Sequence, residues 1–335
     1  MRPQNRITDP STIDTNYIAN EIKAGKEVIV QFSDTTFDDK KLSQINELCN
    51  EYDQHFSVRF YGYYSGSFDF CTLLKIPDVK SLYVDCLTKA DNINAIGKLK
   101  NLNKLSLGVY ELNETEILKS ENLKNLSELV IGDTKTKAFN LEYLNDFKNL
   151  KLLINAGHSK NIEAIGELSN LEYLSLNSLK KTPVSFVNRL KKLKTLKFIL
   201  GGRENIKEIE DNEIEHLDIV WVRGFNDLSN ISNFKKLRTL LVEDNIQLQS
   251  IHFDKQLPAL NDLKILNCKT LTSLTGLENL PLLNQLRIYK TNLDFENVIN
   301  QKLPNKLKIF AFYTTKQKID KHIKATLERK GYKEL

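Results

Sequence analysis

The stretches NINAIGKLKNLNKLSLGVY (Asn92–Tyr110) and NIEAIGELSNLEYLSLNSL (Asn161–Leu179) match at eleven of nineteen positions, and their starts lie 69 residues apart. Since 69 is three times 23, the spacing predicts two further copies between them and a chain built from units of about 23 residues. Sliding the shared LxxLxL core along the sequence finds it at Val79, Leu102, Leu126, Leu150, Leu171, Leu193, Ile214, Leu237, Leu260, Leu283 and Leu307. Successive cores are 21 to 24 residues apart. Leucines placed by chance would not hold that period.

Each core reads as a short strand, because alternate residues of a strand point to opposite faces. The fourth and sixth positions, such as Leu105 with Leu107 or Leu174 with Leu176, point inward. A return segment then supplies a second apolar set, such as Ile93, Ile96 and Leu99. One unit cannot bury such a face alone, whereas stacked neighbours can. Units this short leave little room for a full return helix, so short helical turns or extended segments are expected. VSFVNRLKK (Val184–Lys192) is the best candidate for a true helix. The unit at Leu150 has two readings: Leu153 and Asn155 inward, or Leu152 and Ile154 inward after a one-residue slip.

The repeat resembles the leucine-rich repeat family, whose units carry the core LxxLxLxx(N/C)xL. Asn245 in LVEDNIQL and Cys268 in LKILNCKTL stand at the family's asparagine or cysteine position. The AIGELSNLEYL phrasing is similar to the short units of internalins and of phosphatase-regulator proteins. Most units depart from the pattern, with Tyr110, Thr134, His158, Leu179, Gly201, Val222 and Thr291 in the asparagine's place. That departure implies a less regular ladder between units. The resemblance implies an α/β fold: one continuous, curved, right-handed solenoid with a parallel sheet on its concave face and helical caps at both ends.

Three segments are expected. Residues 1–78 form an N-terminal capping region of longer α/β units continuous with the sheet. Within it KEVIVQF and FSVRFYGYY read as strands, with Val28 and Val30 aligned on Val58 and Phe60. FDDKKLSQINELCNEY reads as a helix, and STIDTNYIANEIKAG as another that covers the sheet edge. Residues 79–313 hold about eleven repeats. Residues 314–335 form a C-terminal capping helix, with Thr314 and Gln317 as a capping box and Ile319, Ile323 and Leu327 as its apolar stripe.

Composition narrows the function. Apolar residues make up 41% and charged residues 27%, as in a folded chain. Lys and Arg number 48 against 43 Asp and Glu, an excess too diffuse for a nucleic-acid footprint. The lysine-rich end (Lys316, Lys318, Lys321, Lys324) is interleaved with Asp320, Glu328 and Glu334, as on a solvated helix face. No apolar run reaches a membrane span, and the N-terminus has no apolar signal core. Four scattered cysteines suit a cytoplasmic protein with reduced thiols. The five histidines form no metal motif. His216 shares a strand face with Asp218, but no nucleophile is identified beside the pair. Gly201-Gly202 lacks the surroundings of a phosphate loop and reads as a turn. No catalytic residue, cofactor or metal site is expected.

What remains is a surface. The fifth and seventh core positions face away from the core. In the second half they mix charges (Lys197, Asp218, Glu243, Lys264, Arg287) with apolar residues (Ile199, Val220, Leu241, Leu266, Tyr289), and Trp221 sits one position beyond. Aromatic and arginine anchors amid charge are the composition of an interface. The reading is a non-enzymatic protein, monomeric when free, that binds a protein partner on its concave face. Two alternatives stand beside it. One is an inhibitor or immunity-type regulator that occludes an enzyme or toxin. The other is an enzyme or adaptor whose activity lies in the N-terminal region.

Overall fold

The computed structural model describes residues 3–135 and 138–334. Met1, Arg2 and Leu335, at the outer limits of the expected end segments, lie outside the described residues. The chain forms two compact units, Met1–Leu171 and Glu172–Leu335.

In the first unit seven strands lie side by side in chain order, all parallel: β1 (Gln4–Thr8), β2 (Glu27–Ser33), β3 (Phe56–Asp69), β4 (Ser81–Asp91), β5 (Lys104–Val109), β6 (Glu128–Ile131) and β7 (Leu152–Ala156). β1 was not expected from the sequence. It pairs with β2 and occupies the sheet edge, so α1 (Thr15–Lys23) is the connection between them rather than the edge cover. α2 (Asp39–Tyr52) joins β2 to β3 and buries Leu42, Ile45, Leu48 and Cys49. The expected alignment is corrected by two residues: Val30 faces Val58 and Phe32 faces Phe60. A shift of two keeps every side chain on its face. It also brings Phe32 and Phe60 to a ring separation of 5.8 Å, with Phe68 5.0 Å beyond. The core here is aromatic, where the repeats use leucine.

From β4 onward the connections are short 3-10 turns such as Ile93–Lys98 and Leu141–Asp146. In β7, Leu153 and Asn155 are the buried pair, aligned on Leu129 and Ile131. The unslipped reading of that unit is the one adopted, at the price of a buried asparagine whose amide donates to the His158 carbonyl at 2.8 Å.

The second unit has seven parallel strands in the order β8 (Tyr173–Asn177), β9 (Thr195–Ile199), β10 (His216–Val220), β11 (Thr239–Glu243), β13 (Asp262–Leu266), β15 (Gln285–Tyr289) and β16 (Ile309–Tyr313). The short strands β12 (Ser250–His252) and β14 (Ser273–Thr275) pair separately on the return side. Leu196, Leu217, Leu240, Leu263 and Leu286 align in register, and each is at most 1% exposed. VSFVNRLKK is not an α-helix. Ser185–Arg189 is a 3-10 turn, closed by Leu190 N–H to Val187 O at 3.0 Å. Burying Val184, Phe186, Val187 and Leu190 and still reaching β9 at Thr195 requires the tighter turn. The return-side α-helix is instead the brief α3 (Phe295–Ile299).

α4 (Gln317–Arg329) closes the chain, and the capping box does not form. Asp320 takes both the Thr314 N–H and hydroxyl, each at 2.7 Å, which removes Thr314 as a cap. Ile323 and Leu327 are buried, but Ile319 is 43% exposed and lies outside the stripe. After α4 the chain turns back, and Lys333 bridges Ile309 of β16 in parallel.

Three side chains at the family's asparagine position bond to the backbone of neighbouring repeats. Asn245 donates to Ile219 O at 2.7 Å and Glu243 O at 2.8 Å, and accepts from Val222 N–H at 3.1 Å. Cys268 points its thiol at Leu266 O, 3.4 Å away, and burial pushes that thiol's pKa up to about 11. In the first unit His158 fills the same position, with Nε2 on Gly132 O at 2.8 Å and Nδ1 accepting from Phe139 N–H at 3.2 Å. A second set of amides on the return side was missed: Asn122 reaches Ile96 O and Leu99 O, Asn230 reaches Ile206 O and Ile209 O, and Asn279 reaches Phe253 O.

Candidate sheet-face site

Parallel, in-register pairing turns sequence positions into rows. Lys197, Asp218, Leu241, Lys264, Arg287 and Ala311 stand side by side across β9 to β16. One row further along the strands come Ile199, Val220, Glu243, Leu266, Tyr289 and Tyr313. All the expected site residues on these strands are half-buried, so the strands present them on the face away from the leucine core.

The two rows differ in chemistry. The first is largely self-compensated. Lys197 Nζ meets Asp218 at 2.7 Å and lies over the Tyr173 ring at 5.7 Å. Burial acts against the Lys197 ammonium, but the hydrogen bond and charge of Asp218, with Tyr173, outweigh it and hold the pKa above its ordinary value. Asp262, missed as a central residue, ties Arg287 at 3.1 Å and Lys264 at 3.2 Å, and Arg287 also donates to Gln285 at 2.6 Å. Arg287 is therefore a clamped side chain rather than the free anchor the sequence suggested. His216 is bonded to Thr239 Oγ1 at 2.8 Å, and Asp218 is engaged by Lys197, so the two form no catalytic pair.

The second row is an apolar strip of Ile199, Val220, Leu266, Tyr289 and Tyr313, with Leu241 diagonal to it. Tyr289 and Tyr313 meet edge to face at 6.3 Å. Glu243 interrupts the strip, and its carboxylate has no hydrogen-bond or ion-pair partner among the described residues. Burial, then Asp244 and Asp218, push its carboxyl above the usual carboxylate range. At β8 the face changes character: Ser175, a fifth-position residue expected to face away from the core, is 2% exposed and donates to Asn177 at 2.6 Å.

Trp221 is not on this face. It follows β10 with φ 53° and is 65% exposed. Among the described residues no group of three or more His, Cys, Asp and Glu side chains is placed to hold a metal, and no helix is long and apolar enough to cross a membrane.

No family model matches the chain, and neither does any curated protein. Among solved structures an internalin of Listeria monocytogenes is 16% identical, with a TM-score of 0.56 over 92% of this chain and 86% of its own. A leucine-rich repeat protein of Leptospira interrogans is 18% identical, with a TM-score of 0.49 over 92% of this chain and 89% of its own. A chain of the Toll–Spatzle complex of Drosophila is 14% identical, with a TM-score of 0.51 over 93% of this chain and 43% of its own. With its repeating parallel strands, its buried leucine rows and its asparagine ladder, this chain has the fold of the leucine-rich repeat proteins.

Proposed function

We propose that the protein is a non-enzymatic binding module that takes a protein partner on the concave sheet face formed by β9 to β16. The apolar strip of Ile199, Val220, Leu266 and Tyr289, flanked by Leu241, carries the reading. An apolar row held open on a sheet, broken by a single carboxylate, is the desolvated centre of an interface awaiting its partner. The compensated ion pairs beside it form the polar rim. Glu243 refines the partner's chemistry: its unpaired carboxylate, set among apolar neighbours, favours a basic side chain of the partner at the centre of the contact. The likeness to a chain of the Toll–Spatzle complex is consistent with a binding role. We place the protein in the cytoplasm, on its four unpaired thiols, two of them exposed, and as a monomer before binding.

Affinity copurification with wild type and Leu241→Asp tests this. A protein retained stoichiometrically by wild type should be lost with Leu241→Asp, by about 2 kcal/mol or more in affinity. Lys318→Glu with Arg329→Glu on α4 should retain it. The reverse pattern would put the binding surface on the helix.

A further inference from the structure

We propose a second binding site, outside the sheet face: a cleft beside Trp221 that takes an acidic, apolar-bearing segment of a protein partner. The cleft of about 800 Å³ lies at the strand ends of the second unit, lined by Lys180, Lys181, Leu200, Gly202, Trp221 and Arg223.

Three observations carry it. The first is the pair Leu200 and Trp221. The residue just after each strand is left-handed in successive repeats, and its N–H bonds the next strand: Leu200 (φ 62°) to Val220 O at 2.9 Å, Trp221 (φ 53°) to Glu243 O at 2.8 Å. Ser178, Asp244, Asn267 and Lys290 hold the equivalent places at φ 54–56°, so the repeat fixes this backbone whatever the residue. Of the six, only Leu200 and Trp221 are large and apolar, and they are 42% and 65% exposed. Solvent-exposed apolar area thus coincides on neighbouring repeats, which packing does not explain.

The second is Gly202, which lies between Lys180 and Arg223 in a small parallel ladder of its own. Its neighbour Gly201 is imposed by the fold, since its φ is +81° and a Cβ there would meet Leu179 O at 2.2 Å. Gly202 is under no such constraint: a Cβ would find Arg223 O at an ordinary 3.5 Å. A glycine that packing does not require leaves the floor bare between two cations.

The third is charge. Lys180 and Arg223 are exposed and have no carboxylate partner among the described residues, and Lys181 has only Glu204, at 4.0 Å. Three exposed cations face one carboxylate, and a fourth, the half-buried Arg203, lies 3.9 Å from Glu208, which leaves enough positive charge for one or two acidic side chains of a peptide. The positive patch ends there, with Glu204 on its rim. A polyanion such as a nucleic acid would meet that carboxylate, whereas a short acidic segment with an apolar residue against Trp221 would not.

Trp221 is the only tryptophan of the chain, so its emission reports this cleft directly. The full-length protein is titrated with a synthetic peptide alternating Glu and Leu, with its Lys-for-Glu counterpart and with oligothymidylate. The acidic peptide should give a saturable blue shift, and Lys180→Glu with Arg223→Glu should weaken it about tenfold at unchanged melting temperature. The basic peptide and the oligonucleotide should give none. Leu241→Asp should leave the titration intact, so that this site and the sheet-face reading fail separately. No saturable shift with the acidic peptide, a shift indifferent to the charge reversal, or saturation by oligothymidylate would overturn the proposal.

Discussion

His158 holds two backbone groups at once, and its protonation state follows from them. The Phe139 N–H must donate, so Nδ1 is an acceptor and Nε2 carries the proton toward Gly132 O. A second proton on Nδ1 would face the Phe139 N–H. The ring is 1% exposed, and burial holds its pKa below the usual 6.5, with Gly132 and Asp133 opposing the shift only in part. A lowered folded-state pKa means that the unfolded chain takes up the proton first. The stabilising contribution is thus complete above about pH 6.5 and is lost as pH falls through the folded value. His158→Asn should preserve the ladder and flatten that part of the melting-temperature profile between pH 7 and 5. An unchanged profile would move the pH sensitivity elsewhere. At this scale the sequence was least legible. A histidine at an asparagine position reads as a gap in the pattern, because the pattern encodes one residue type and not the two hydrogen bonds that any suitable ring can make. The clamp of Asp262 on Arg287 and Lys264 was hidden for a related reason: face assignment places charges in rows but does not say which rotamers pair.

Elements were legible where burial is one-sided. Strands β4 to β11, β13, β15 and β16 fall on the LxxLxL cores because the repeat places two apolar residues inward every 21 to 24 positions. β1 carries no such signal: none of its five residues is buried, and its pairing with β2 rests on backbone hydrogen bonds and one side-chain bond, from Gln31 to Thr8 Oγ1 at 2.8 Å. The turn at Ser185–Arg189 shows the other limit, since its apolar spacing fits a helix and only the distance left before β9 excludes one. At the chain's end the Thr314–Gln317 pattern lost to Asp320, a stronger acceptor one turn on. Asp320→Ala should strand the Thr314 N–H and hydroxyl and lower stability by about 1–3 kcal/mol in thermal or urea unfolding. Truncation after Thr315 should cost more. It removes Ile323 and Leu327, the Tyr332 ring 5.7 Å from Phe310 and the Lys333 bridge, and it bares the outer side of β16. The truncated chain should self-associate in sedimentation velocity. A stable monomer would show that the helix shields nothing.

For the molecule as a whole, repetition explains both the stability and the surface. Each unit buries leucine against its neighbours and thereby repeats its outward positions at a fixed strand spacing, so a few substitutions in successive units write a contiguous row. The composition of the candidate face was readable for that reason, although nothing in a sequence could separate the self-compensated row from the apolar strip beside it. That strip is the central claim. Its most direct test is a photo-crosslinking residue placed at Leu241 and, in a separate variant, at Arg329 on α4, with illumination in living cells. Adducts to one protein from position 241 and none from position 329 are the predicted result. Adducts from position 329 alone, or none from either in cells where the protein copurifies a partner, would contradict a sheet-face interface.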